Sequence, residues 1–285
     1  GLGGPPDLWK TLDGKNWEQK TGPILTGMSA TREGFSTAAY KGKMYLFGGT
    51  YNITYSWIYF NDIYTTPDGD TWTKKVNNAP WSPRAFGSLV KYHDRLYFMG
   101  GEKILSWSSI IYYNDMWVYD GTSWAQFDND PSTSGIQNPP WSPRSHTTLT
   151  VFKDKIYLIG GTSTSNEVWS FDDITSTWVQ EPNGPWPSRV DHSAFVWNGK
   201  LWVSGGDDNS VHYYNDMWSS TNGTNWTLEP SANWPPRTRQ SFVVTPSTFG
   251  QVRPQCSDAI DNDSDLKIDY PSDTGCVSTT DTSEL

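Results

Sequence analysis

Apolar and polar residues alternate with a period of two along most of this chain, in short runs bounded by Gly, Asp and Asn, which predicts β-strands rather than helices. The runs recur in one register. Arg32 leads to Gly48-Gly49, Arg84 to Gly100-Gly101, Arg144 to Gly160-Gly161 and Arg189 to Gly205-Gly206, each second Gly lying seventeen residues after its Arg. A first strand is expected to follow the Arg directly, as in Arg84-Ala85-Phe86-Gly87-Ser88, and the fourth residue after each Arg is Ser or Thr. Tight turns come next, at Lys41-Gly42-Lys43, His93-Asp94-Arg95, Lys153-Asp154-Lys155 and Asn198-Gly199-Lys200. The second strands read Met44-Tyr45-Leu46-Phe47, Leu96-Tyr97-Phe98-Met99, Ile156-Tyr157-Leu158-Ile159 and Leu201-Trp202-Val203-Ser204. Third strands carry Asp62-Ile63-Tyr64, Asp115-Met116-Trp117, Glu167-Val168-Trp169 and Asp216-Met217-Trp218. Asp68-Gly69, Asp120-Gly121 and Asn222-Gly223 then supply the positive φ angles of tight hairpins, and fourth strands carry Trp72, Trp124, Trp178 and Trp226.

The two ends share one further unit. Asp7-Leu8-Trp9, Asp13-Gly14 and Trp17 match third and fourth strands, while Arg237 and Gln240-Ser241-Phe242-Val243-Val244 match a first strand. Its second strand has no clear counterpart, because Pro254 stands where the second Gly belongs and Thr245 to Gly250 shows no alternation. Three readings stay open. Thr248 to Arg253 forms an irregular strand within the chain, the chain is trimmed at its N-terminus, or the open edge takes a strand from a second copy and the chain assembles head to tail into filaments.

Four short antiparallel strands per unit, a Gly-Gly doublet and two spaced aromatics resemble the kelch repeat over residues 1 to about 245. The resemblance implies an all-β, five-bladed kelch-like β-propeller over 1–250, with the fifth blade shared by both termini and a short disulfide-closed acidic segment at 251–285. Features present in every unit, the Arg, the Trp and the Ser/Thr, are expected to serve the blade. The Pro-Trp-x-Pro-Arg lead-ins to Arg84 and Arg144 resemble those of secreted bacterial kelch-like proteins.

Composition adds a location and a cation. Seventeen Trp, fifteen Tyr and eleven Phe supply ample apolar area for a core, and no apolar run is long enough to span a bilayer. Gly1 to Gly4 carries no signal peptide, as a processed secreted chain would show. Of the formal charge of −10, residues 251–285 hold −6, with eight acids against Arg253 and Lys267. The chain has no basic stripe for nucleic acid. The two cysteines, Cys256 and Cys276, bracket the acidic loop, and one disulfide in an oxidising, extracellular setting is expected. Inside the loop Asp261, Asp263, Asp265 and Asp269 alternate as calcium ligands do, with Asp273 or Asp258 closing the set and Lys267 offering its carbonyl. Leu266 and Ser272 depart from the EF-hand pattern. The segment also resembles Cys-bracketed Asp-Asn-Asp tails of secreted bacterial proteins. Calcium is the expected cofactor.

No nucleophile and base stand at readable spacing. His146 and His192 fall beside the repeat arginines, where packing or hydrogen bonding explains them. The kelch-fold copper oxidases need a Cys-modified Tyr, and both cysteines here belong to the tail. The turns at Asp13 and Asp68 are one residue too short for the Asp box of sialidases, which is structural in any case. The segments between Gly-Gly and the third strand are aromatic-rich and vary in length, and carry Tyr55, Trp57 and Tyr59, then Trp107, Tyr112 and Tyr113, then His212 and Tyr213. Either they form a recognition surface that stacks on sugar rings or packs on a protein, or they cover one another. The expected function is extracellular, non-catalytic recognition of a surface protein or carbohydrate, or structural assembly at the cell surface. The alternatives are a self-assembling filament subunit and a secreted carbohydrate-active enzyme on a propeller scaffold.

Overall fold

A computed structural model describes residues 8–11, 16–20, 32–53, 56–106, 108–129, 132, 135–161, 165–209 and 211–241. They hold 22 strands and no helix, so none long and apolar enough to cross a membrane. The chain divides into two units, 1–7 with 21–244, and 8–20 with 245–285. Of the second, the described part is an antiparallel hairpin of β1 (Leu8–Lys10) and β2 (Glu18–Lys20). Pro254 and the rest of the 242–285 segment, on which the fifth blade and the acidic tail depend, lie outside the described residues.

Among the described residues the first unit holds four four-stranded antiparallel sheets, one per complete repeat. Blade one runs β3 (Ser36–Tyr40) and β4 (Lys43–Phe47), then a side hairpin of β5 (Thr50–Ile53) and β6 (Ser56–Tyr59), then β7 (Ile63–Thr66) and β8 (Thr73–Val76). Blade two repeats this with β9 (Ser88–Tyr92), β10 (Arg95–Met99), a side hairpin of β11 (Glu102–Ser106) and β12 (Ser109–Tyr112), β13 (Met116–Tyr119) and β14 (Trp124–Gln126). Blade three is β15 (Thr148–Phe152), β16 (Lys155–Ile159), β17 (Val168–Asp172) and β18 (Thr177–Glu181). Blade four is β19 (Ser193–Trp197), β20 (Lys200–Ser204), β21 (Met217–Ser220) and β22 (Thr227–Glu229). Two of the aromatic segments expected as loops are therefore hairpins, β5–β6 and β11–β12.

Two-residue turns set the register, with Tyr40 opposite Lys43, Tyr92 opposite Arg95, Phe152 opposite Lys155 and Trp197 opposite Lys200. Lys41-Gly42, Lys153-Asp154 and Asn198-Gly199 take positive φ at both turn positions, the twist that matches a right-handed strand pair. First strands of successive blades touch one another. They begin four residues after the Arg and not at it, a correction to the expected boundary. The Arg turns away from the ladder and faces its own Gly-Gly.

That arginine is the repeated fastening. Nη1 of Arg32, Arg84, Arg144 and Arg189 donates to the carbonyls of Gly48, Gly100, Gly160 and Gly205, at 2.9 to 3.0 Å. Each guanidinium also pairs with the acid opening its third strand: Arg32 with Asp62 (2.6 Å), Arg189 with Asp216 (2.7 Å), Arg84 with Asp115 and Arg144 with Glu167. The Trp two residues on donates its indole N–H to the same carboxylate in blades two to four. Blade one has Tyr64 there, and Lys74 lies 3.3 Å from the Asp62 oxygen that also accepts from Arg32 Nη2. The second Gly links forward, Gly49, Gly101, Gly161 and Gly206 donating to the carbonyls of Arg84, Arg144, Arg189 and Arg237. A Cβ on Gly100 would sit 2.6 Å from the Arg144 carbonyl oxygen, so glycine is required for that approach.

The core lies between blades. Central strands β4, β10, β16 and β20 are largely buried, and the apolar clusters lie between successive sheets of blades one to four. The lead-in tryptophans Trp81, Trp141 and Trp186 wedge into these interfaces and are among the largest fully buried side chains. Their indole N–H groups make no hydrogen bond within the protein, which costs roughly 1–3 kcal/mol. Burying 150–250 Å² of Trp returns about 4–6 kcal/mol, so packing wins. The repeat Asn residues hold the wedges: Asn61 donates to the Ala79 and Trp81 carbonyls, Asn166 to those of Gly184 and Trp186.

Arg189→Met strands the Asp216 carboxylate and the Gly205 carbonyl, and should cost about 3–5 kcal/mol in urea unfolding. Adding Asp216→Leu should recover at least half of that loss, because an apolar pair of similar volume replaces a buried ion pair at little cost.

Candidate functional site

Two residues after each repeat Arg the backbone is left-handed, at Gly34 (φ 62°), Phe86 (53°), His146 (55°), Asp191 (51°) and Arg239 (55°). The twist ends the first-strand ladder and aims each N–H at the preceding repeat. Phe86 N donates to the Gly34 carbonyl at 2.7 Å, His146 to Phe86 at 3.1 Å, Asp191 to His146 at 3.4 Å and Arg239 to Asp191 at 3.0 Å. A backbone ladder thus crosses successive repeats. Hydroxyls reinforce it, Ser36 and Ser88 donating to the carbonyls of Gly87 and Thr147. This is the work of the repeated Ser/Thr.

The side chains on this ladder form the floor of a cavity of about 410 Å³. His146 Nδ1 donates to Asp191 at 2.7 Å, and Arg239 Nε donates to the other Asp191 oxygen at 3.0 Å. Glu102, from β11, accepts the Ser145 hydroxyl at 2.6 Å and lies 3.7 Å from His146 Nε2. Phe86 stacks on the imidazole with ring centres 4.1 Å apart, and Glu33 stands at the edge. The apolar part of the lining comes from the two side hairpins: Trp57 and Tyr59 of β6, Ile104 of β11, Ile110 and Tyr112 of β12. Tyr59 Oη accepts the Ile104 N–H at 2.9 Å, which ties the hairpins together.

Burial acts most strongly on His146 and works to lower its pKa. Asp191 and Glu102 together outweigh it and raise the imidazole to about 9. Burial works to raise Glu102 and Asp191, yet both end below the ordinary carboxylate range. The nearby His146 cation and a hydrogen bond from Ser145 stabilise the Glu102 anion, and hydrogen bonds from His146 and Arg239 the Asp191 anion. His192 is the contrast. It is fully enclosed, bonded through Nε2 to Thr148, and pushed by burial down to about 3.

Of the residues singled out in the sequence, the structure brings Trp57, Tyr59 and Tyr112 together on the apolar wall. Tyr113 lies elsewhere, its ring 3.7 Å beneath the Arg84 guanidinium, as Phe60 lies beneath Arg32 and Tyr214 beneath Arg189. It is a blade residue. His212 bonds Asp208 at 2.6 Å on an exposed loop with Tyr213, and neither lines the cavity. Tyr55, Trp107, Cys256, Cys276 and the calcium set Asp261, Asp263, Asp265, Lys267, Asp269 and Asp273 lie outside the described residues. A larger groove of about 600 Å³ runs past Val118, Ala125 and Thr175. Its Asp120 caps its own turn through the N–H groups of Thr122 and Ser123.

The two histidines shape stability against pH in opposite senses. His146 is raised above 6.5, so its contribution is full below that pH and is lost as pH rises through about 9. His192 is lowered from 6.5 to about 3, so stability falls as pH drops across that window, where the unfolded chain binds the proton first. The depressed Glu102 and Asp191 add to the acid loss. Thermal melts by circular dichroism should therefore peak near neutral pH, and His146→Gln should flatten the alkaline limb while an acid limb remains.

The architecture has known counterparts. The KLHDC2/KLHL20/DRC7 Kelch-repeats domain model matches residues 6–161 and 112–249. The flagellar outer arm dynein alpha chain of Chlamydomonas reinhardtii is 31% identical over 225 residues, covering 70% of this chain and 5% of its own. Kelch domain-containing protein 1 of Mus musculus is 28% identical over 223 residues, covering 61% of this chain and 51% of its own. This chain therefore spans about half or less of these relatives. The solved structure of YjhT superimposes with a TM-score of 0.62 at 17% identity over 79% of this chain and 76% of that one, a likeness of fold alone. Repeats, blades and the matched model agree: the chain belongs to the Kelch-repeat family, on a β-propeller fold.

Proposed function

We propose that this chain is a non-catalytic recognition module of the cell exterior, which holds a surface protein or carbohydrate at the face built by the β5–β6 and β11–β12 hairpins. One observation carries the reading. A single cavity is lined both by apolar aromatics and by hydrogen-bonded polar groups, the combination by which ligand sites gain both area and orientation. The titration behaviour of the floor favours binding over catalysis. A general acid or base works best with a pKa near the working pH. His146 is held well above neutrality, Glu102 and Asp191 well below, and the Ser145 hydroxyl is committed to Glu102.

The same proposal includes calcium held by Asp261, Asp263, Asp265, Lys267, Asp269 and Asp273, and a disulfide between Cys256 and Cys276, both suited to a secreted protein. Calorimetric titration of calcium into the full chain tests the first: Asp263→Asn with Asp265→Asn should abolish the binding heat. Assembly into filaments is the second reading. It is motivated by the shared unit's sequence, in which Pro254 stands where the second Gly belongs and no second strand is evident. Light scattering that reports a monomer at all concentrations would remove it.

Recognition is tested by capture of the purified chain on a printed panel of secreted glycoproteins and polysaccharides. Trp57→Ala and Tyr112→Ala should each weaken capture about tenfold or more with the far-ultraviolet spectrum unchanged. Capture indifferent to both substitutions would rule the cavity out as the recognition site.

A further inference from the structure

The repeat separates what it fixes from what it varies. Within this chain the Arg, the Gly-Gly and the hydroxyl four residues after the Arg keep their chemistry from unit to unit. The position two after the Arg does not: it is Gly34, Phe86, His146, Asp191 and Arg239 in turn. Its structural work is done by the backbone, through the N–H to carbonyl ladder, and needs no side chain. It is also left-handed in all five units, a conformation that suits Gly and disfavours Phe, His, Asp and Arg. Four side chains are nonetheless present there, and all four line the cavity. Non-glycine residues held in a disfavoured backbone region concentrate at functional sites.

Their chemistry selects a ligand class. The cations of His146 and Arg239 lie against the anions of Glu102 and Asp191, so the floor balances its own charge and leaves Glu33 at the edge. An anionic ligand would find no excess of positive charge, since Glu33 leaves the lining with one net negative charge. Hydrogen-bonding capacity does remain, because among the described residues Arg239 bonds Asp191 through Nε alone and its side chain is 60% exposed, while each carboxylate oxygen has two lone pairs. A ligand that suits this lining carries donors and acceptors along one edge, an apolar face toward Trp57, Tyr59 and Tyr112, and no negative charge. A sugar ring has this form: hydroxyls around its rim, and C–H groups on its face that are attracted to the electron-rich face of an aromatic ring. A volume of about 410 Å³ suits a ligand of one or two such rings.

We propose that this cavity is a binding site for a neutral pyranose, read by the four side chains two residues after the repeat arginines: Phe86, His146, Asp191 and Arg239. The proposal rests on the recognition reading above and specifies its ligand. Those four positions are the specificity register of the repeat. The apolar wall supplies affinity, and the floor chooses among hydroxyl configurations.

Saturation-transfer NMR on the full chain tests it, with the methyl glycosides of glucose, galactose and mannose and with N-acetylglucosamine as neutral probes, and N-acetylneuraminate as the charged control. At least one neutral probe should receive saturation, with a weaker response from the charged sugar. Arg239→Gly and Phe86→Gly should each weaken the neutral response about tenfold while the melting temperature holds, since glycine relieves the left-handed backbone. Trp197→Ala, an exposed residue outside the cavity, should change neither reading. Wild-type sugar binding in both glycine variants, with melting temperatures lowered by several degrees, would assign the side chains to the fold and overturn the proposal. No transfer to any neutral probe, with capture on the protein panel still sensitive to Trp57→Ala, would overturn the sugar assignment and leave recognition standing.

Discussion

A buried guanidinium organises each blade. It donates to the first glycine of its own doublet, pairs with the acid opening its own third strand, and in three blades rests on the aromatic ring two residues before that acid. Its carbonyl accepts the second glycine of the preceding blade. One residue type thus ties a blade to itself and to its neighbour. Where local chemistry changes, the fastening adapts. Blade three has the longer Glu167 in place of Asp and Ser165 in place of the aromatic, and there Arg144 gains the Ser142 hydroxyl at 2.8 Å.

The fastening sets geometry more than it supplies energy. Desolvating a guanidinium and a carboxylate offsets most of their attraction, so such a pair contributes little net stability while a lone partner is costly. The favourable free energy comes from the interfaces, where Trp81, Trp141 and Trp186 fill the space between sheets with unbonded indole N–H groups. Ion pairs without the wedges would leave the blades loosely packed. Wedges without the ion pairs would leave adjacent sheets free to slide, since apolar contact has no direction. The combination specifies one register.

This division explains what was legible in the sequence. Elements that recur could be read by comparison of the chain with itself: the second strands, the turns at Lys41-Gly42 and Asn198-Gly199, the acids at Asp62, Asp115, Glu167 and Asp216. The start of the first strand was misplaced because alternation runs straight through Ala85-Phe86-Gly87, and a left-handed Phe leaves no mark in a hydrophobicity pattern. Tyr113 was grouped with the exposed aromatics although Phe60-Asn61-Asp62, Tyr113-Asn114-Asp115 and Tyr214-Asn215-Asp216 form a recurring triplet, the signal that would have assigned it to the blade. Trp57, Tyr59 and Tyr112 were recognisable as surface aromatics. Their partners Glu102, Ser145, His146, Asp191 and Arg239 were not, because they come from separate repeats and meet only through the ladder.

For the binding site proposed above, the ladder offers a way in which a repeat protein gains a site without weakening its repeat. A residue that stabilises through its side chain cannot be exchanged freely, so it is a poor place to encode binding. A residue that stabilises through its N–H and carbonyl alone leaves the side chain unconstrained, and a left-handed backbone aims that side chain away from the strand it precedes. The cost is about 1–2 kcal/mol for each non-glycine occupant. It is offset here by contacts among the occupants themselves: His146 stacked on Phe86, and Asp191 held between His146 and Arg239. Those contacts fix the rotamers of the floor before any ligand arrives, so less conformational entropy is lost on binding. Gly34, the one unit with no side chain at this position, leaves the ladder intact while adding nothing to the floor. The fold therefore needs the position, and only the site needs what the position carries.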